Sequence, residues 1–251
     1  MGGKLGLKGS IIFNQPNIRA KIIGIVLILI GLILLITNEA IYIKIAFSLI
    51  LIGFLFIFLI NEKTIPSKIT KAQIEGNFSA FENITKNLNL TGNAVFIPTS
   101  EVLNEERIFI PLEKKNMKIP DLNDNSVFST GIDGKSLGMA IPPSGLKLLS
   151  EVEKETDFSN IPEENIEEKL QTFVGMDLLR SVTLKKLSKN WKLELEKPIF
   201  CQGHSPMCKQ YPCPTCSAIL TAITRSTDKK IWINDVVHNG KKVDFSLKIG
   251  D

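Results

Sequence analysis

The sequence predicts an α+β protein in which a transmembrane helical hairpin precedes a mixed α/β soluble domain with several short antiparallel strands. Three observations carry this expectation. Ile22 to Ile36 and Ile41 to Ile60 are nearly unbroken apolar runs, separated only by Thr37, Asn38, Glu39 and Ala40. Beyond Lys71 the apolar residues recur first at helical steps and then in short alternating runs bounded by Gly, Pro and Asn. Finally, all four cysteines fall between 201 and 216. These divide the chain into a tail over 1–18, a hairpin over 19–61, a linker over 62–71 and a soluble domain over 72–251.

Each apolar run is at or near the ~17 to 25 residues that a helix needs to cross a bilayer. One helix through both would be about 58 Å long, against a hydrocarbon core of about 30 Å, so the chain must turn at the polar step. Gly24 and Gly31 lie seven apart on the first run, Ala46 and Gly53 seven apart on the second. Measured from the turn, Gly31 matches the depth of Ala46 and Gly24 that of Gly53, as two closely packed antiparallel helices require. Lys4, Lys8, Arg19 and Lys21 precede the pair and Lys63, Lys68 and Lys71 follow it, whereas the turn holds only Glu39. Both termini are therefore expected on the cytoplasmic side. Lys44 reads as a snorkelling anchor. No cleavable leader and no myristoylation signal is expected, since Gly6 stands where the latter wants Ser or Thr.

The formal charge of +4 divides unevenly. Residues 1–71 hold eight Lys and Arg against two acids, leaving 22 bases against 24 acids for the rest. The basic excess is thus a topology signal that favours anionic membrane lipid, and the soluble part has no basic stripe for nucleic acid.

In chain order, Ile74, Phe78, Phe81, Ile84 and Leu88 predict an amphipathic helix from Lys71 to about Gly92. Its polar side carries Glu75 and Glu82, so it is expected to pack on the domain instead of the membrane surface. Asn77, Asn83 and Asn89 open N-x-Ser/Thr triplets that matter only outside the cell. Ala94 to Pro98 and Arg107 to Leu112 read as a hairpin, and Val127 to Thr130 and Leu137 to Ile141 as two more strands. The turn between the latter falls short of a phosphate loop, because Ser129 stands where the first Gly belongs. Ser144 is expected to cap a helix through Thr156 that buries Leu146, Leu149 and Val152, and Pro162 to open another that Gly175 closes. Val182 and Leu184, then Trp191, Leu193 and Leu195, alternate on two strands. A helix over Ser217 to Ser226 follows the cysteines, then a strand over Ile231 to Val237. Asn239-Gly240 turns into Val243, Phe245, Leu247 and Ile249.

The cysteines form Cys201-x6-Cys208-x4-Cys213-x2-Cys216 with His204 inside. In a reducing compartment four thiolates on a short loop suit a tetrahedral Zn²⁺, with Cys201, Cys208, Cys213 and Cys216 as ligands and His204 as a substitute. Two other readings stay open: inert thiols, and a redox pair. Cys213-Pro214-Thr215-Cys216 at a helix start is where the helix dipole lowers a thiol pKa, and it resembles the thioredoxin-type C-x-x-C. Pro-Cys-x-x-Cys also resembles half of a zinc nucleoside deaminase signature. His204 is followed by Ser205 and Pro206, however, so the catalytic Glu is missing. No nucleotide fingerprint, nucleophile elbow or carboxylate pair is found, no catalytic residue is expected, and His238 reads as a solvated turn residue.

Over most of its length the chain resembles a family of uncharacterised archaeal membrane proteins with a short transmembrane hairpin and a cytosolic domain. The stretches that carry this are Asn87 to Pro98 (NLNLTGNAVFIP), Arg107 to Pro111 (RIFIP) and Tyr211 to Ser217 (YPCPTCS). The family implies location and no established activity. The terminal order of strand, cysteines, helix, strand and strand is similar to the small-molecule-binding domains of the 4-vinyl reductase type. That implies an α+β fold and a ligand cavity, with no residue carried across. The expected protein is a membrane-anchored cytosolic sensor or interaction module with a zinc-stabilised loop, partnered by lipid and by a protein or small molecule. The alternative is a thiol-dependent redox protein using Cys213 and Cys216.

Overall fold

The computed structural model describes residues 16–36, 40–59, 67–113, 119–129, 137–187, 190–201 and 206–250. The chain divides into two compact units, residues 1–67 and residues 68–251.

The first unit holds α1 (Pro16–Leu35) and α2 (Ala40–Leu59). They run antiparallel, and small residues set their approach. A Cβ on Gly53 would stand 2.7 Å from the Gly24 carbonyl oxygen, and one on Gly31 would stand 3.0 Å from the Ala46 carbonyl oxygen. The depth matching read from the sequence is thus seen as contact. Among the described side chains of the pair, Gly24, Gly31, Ala46 and Gly53 are the buried ones, while residues such as Ile33, Phe47, Leu51 and Phe58 face outward. This inverts the arrangement that water imposes. Among the described residues only Ile41–Phe58 in α2 is long and apolar enough to cross a membrane, and the apolar part of α1, Ile22–Leu35, is shorter. The expected tail is also shortened, because α1 starts at Pro16, where a missing N–H costs nothing.

The second unit opens with α3 (Ser67–Asn87), so the expected linker is helical from Ser67 onward. The helix ends earlier than its apolar steps suggest, with Asn89 at φ +54°. Its buried side also differs. Phe81 and Thr85 are buried and Phe78 is half-buried, whereas Ile84 and Leu88 are exposed.

The short antiparallel strands expected from the sequence all join one antiparallel sheet. These are β1 (Val95–Ile97), β2 (Arg107–Pro111), β3 (Phe128–Ser129), β4 (Gly138–Ile141), β5 (Ser181–Leu187), β6 (Asn190–Glu196), β7 (Lys230–Asn239) and β8 (Lys242–Gly250). Their order is β3-β4-β2-β1-β7-β8-β6-β5. The long strand β7 unites the two halves, pairing with β1 on one side and β8 on the other. The Asn239-Gly240 turn forms as expected, with Gly240 at φ +61°. His238 departs from expectation: it lies in β7 opposite Val243, and both ring nitrogens are buried without a hydrogen-bond partner among the described residues.

α4 (Leu146–Val152), α5 (Ile166–Gly175) and α6 (Pro214–Thr227) share a core with one sheet face, including Phe96, Ile108, Leu193 and Phe245. A smaller cluster of Val95, Ile97, Leu103, Phe109, Leu122 and Ala140 covers part of the other face. α4 is shorter than expected, and Gly145 is its N-cap. Ser144 instead donates from Oγ to the Pro212 carbonyl at 2.7 Å.

On the open face of β5, β6 and β8, Glu194 accepts from Lys192 and Lys185, each at 2.9 Å, and Lys192 also pairs with Asp244 at 3.3 Å. Hydrogen bonds from Lys192 and then Lys185 lower the Glu194 pKa from 4.5 to about 2. The native state therefore holds this proton less tightly than the unfolded chain. The resulting stabilisation is present above about pH 4.5 and is lost as pH falls towards 2. These side chains are partly exposed, so the contribution should be about 1 kcal/mol or less. Urea unfolding of the parent and Glu194→Gln between pH 6 and 3 checks this: the difference between them should shrink on acidification.

Candidate metal site

The site is built on the first turn of α6, a helix buried all round from Thr215 to Thr224. Pro214 starts the helix with its fixed φ and no N–H to satisfy. Cys213 is the N-cap, and the Ser217 N–H donates to its carbonyl at 2.7 Å. The x2 spacing then brings the Cys216 thiol back beside that of Cys213. Cys201 arrives from the segment after β6, where its N–H donates to the Pro198 carbonyl at 3.1 Å. The sulfurs of Cys201, Cys213 and Cys216 all lie within 4.8 Å of one another. Cys208, on a 3-10 turn over Pro206–Lys209, is outside that trio, and its thiol is hydrogen-bonded to Cys201. His204 lies outside the described residues.

Cys208, Cys213 and Cys216 are buried and Cys201 is half-buried. The hydrogen bond to Cys201 and then burial push the Cys208 pKa up. Burial and then the bond to Cys201 do so for Cys213. Bonds to Cys201 and Cys213, then burial, raise that of Cys216. Burial and a raised pKa are the opposite of the accessible, lowered-pKa setting in which reactive cysteines are found. The hydroxyls of Thr215 and Ser217, which flank Cys216 in the chain, are buried without a hydrogen-bond partner among the described residues.

Neighbouring contacts hold the loop in place. The Ala94 N–H donates to the Lys209 carbonyl at 2.7 Å, and Lys209 pairs with Asp235 at 2.5 Å. Gln210 donates to the carbonyls of Leu90 and Gly92 at 2.7 and 3.1 Å. Tyr211 stacks on Phe81 with ring centroids 4.1 Å apart. At the far end of α6, Arg225 forks the Glu106 carboxylate at 2.5 and 2.7 Å and also binds Glu153. Sequence reading named Tyr211 only as part of the YPCPTCS stretch, with no packing role, and did not single out the Arg225 cluster. A base in a helix's last turn was the available signal for the second.

No curated protein and no solved structure matches this chain. Residues 17–188 match the family described as Domain of unknown function (DUF7982), a span that takes in α1 to β5 and stops short of the cysteines. The chain belongs to that family of unknown function.

Proposed function

We propose that the protein is a membrane-anchored sensor or interaction module whose soluble unit is held together at the cysteine cluster by Zn²⁺. The observation that carries this reading is the convergence of three thiols on the first turn of a fully buried helix. Tetrahedral zinc with Zn–S bonds of about 2.3 Å sets sulfurs about 3.8 Å apart, which a trio already within 4.8 Å reaches by small side-chain turns. Thiolate donors favour zinc over the oxygen-seeking divalent ions. Cys208 is the fourth ligand in this reading, since its thiol bonds to that of Cys201. The anchor rests on the helix pair, with its small residues inside and its large apolar residues outside. Both helices cross the bilayer and both ends face the cytoplasm, where the thiols stay reduced.

The test is metal analysis of the full chain, purified anaerobically in detergent, beside a Cys213→Ser/Cys216→Ser double variant. About one zinc per chain is expected in the parent and almost none in the variant. A parent without zinc rules the reading out. A disulfide between Cys213 and Cys216 that forms and reduces reversibly would favour the redox alternative.

A further inference from the structure

The segment enclosed by the cysteines is also the segment that grips α3. Tyr211 stacks on Phe81 at 4.1 Å and meets Phe78 edge-on at 5.8 Å. Thr85, whose hydroxyl donates to the Glu82 carbonyl at 3.0 Å, also lies 3.7 Å from the Met207 sulfur, and Gln210 holds the carbonyls of Leu90 and Gly92 just beyond the helix. All four contacts fall on the C-terminal half of α3 and its exit. From Ile69 to Asn77 the helix is exposed or half-buried, and Gly76 has no heavy atom near its missing Cβ. The hold on α3 is therefore concentrated on Met207, Gln210 and Tyr211, which lie between Cys201 and Cys213 in the chain.

We infer that the cysteine-bound metal governs whether α3 stays clasped to the rest of the second unit. The inference rests on the zinc reading above. The physical link is short. Cys208 and Cys213 bracket Gln210 and Tyr211, and Cys208 follows Met207 directly, so a shared ion fixes residues 206–213 far more tightly than protonated thiols can. Without the ion, the ties of Lys209 to Ala94 and Asp235 keep the middle of the loop near β7. Tyr211, two residues before Cys213, loses the constraint that sets its ring against Phe81 and Phe78. Among the described residues these contacts tie α3 to the cysteine segment, so it is the element whose opening free energy falls first.

Hydrogen exchange on the full chain in detergent micelles tests this, comparing the zinc-loaded protein with the same protein after EDTA. Amides from Phe81 to Asn87 should exchange at least about tenfold faster without zinc, while those of α5 should be unchanged. Tyr211→Ala should produce the same local acceleration while keeping its zinc. If zinc is bound and its removal leaves α3 exchange unaltered, the clasp is refuted and the zinc reading survives. Equal acceleration in α3 and α5 also refutes it, showing a general staple. A Tyr211→Ala protein with parental α3 exchange refutes it as well. A chain that binds no zinc removes both readings together.

Discussion

Replacing Arg225 with Met is expected to destabilise the sheet unit by about 3–5 kcal/mol, the cost of leaving one charge of a buried pair without its partner. The charge left unpaired is that of Glu106, whose side chain is only 1% accessible and whose two oxygens both face the guanidinium. Hydrogen bonds to Glu106, more than those to Glu153, push the Arg225 pKa up, as expected of a cation held by a buried fork. The cluster fastens the last turn of α6 to the start of β2 and the end of α4, and a positive charge there also complements the negative end of the helix dipole. Glu153 is more open, at 19%, and contributes less. The control is Glu106→Gln/Arg225→Met, which removes the stranded charge and should cost less than the sum of the single changes. Urea unfolding of the full chain can be followed by Trp191 and Trp232, both in the sheet unit. A loss under about 1 kcal/mol for Arg225→Met would show that the pair is not the anchor its geometry implies.

What the sequence reveals and what it hides divide by range. The β5–β6 and β7–β8 hairpins follow from alternation plus a turn, and the α6 start follows from Pro214 after a cysteine, because each is decided within a few residues. The Gly24–Gly53 and Gly31–Ala46 contacts were readable because a short turn fixes the register of two straight helices. The single sheet was not, since β1 must cross more than 130 residues to meet β7 and nothing local marks that pairing. The side of α3 that is buried was misjudged for the same reason. Its partner is Tyr211 on a distant loop, which selects Phe78, Phe81 and Thr85 over the apolar Ile84. Glu106 and Arg225 are 119 residues apart. Three of the four cysteines converge as their clustering implies, while the position of Cys208 depends on a 3-10 turn that its spacing did not announce.

Gly145→Ala is expected to cost about 3 kcal/mol or more and to weaken the zinc binding proposed above, although no thiol is touched. A Cβ there would lie 2.2 Å from both the Pro214 carbonyl oxygen and the Ala218 nitrogen, which are backbone atoms of the helix that carries Cys213 and Cys216. No side chain can rotate away, so the start of α4 or the first turn of α6 must move. Moving that turn opens the sulfur trio. At an unhindered helix position the same change is favourable. Gly76, inside α3 with nothing within 4 Å of its Cβ position, should gain about 0.5–1 kcal/mol on replacement by Ala. The paired measurement is urea midpoint and zinc affinity for Gly145→Ala, Gly76→Ala and the parent. Opposite signs in stability, with zinc affinity falling only for Gly145→Ala, are the expected outcome. A Gly145→Ala protein as stable and as zinc-avid as the parent would mean that α4 does not press on the cysteine turn at this distance.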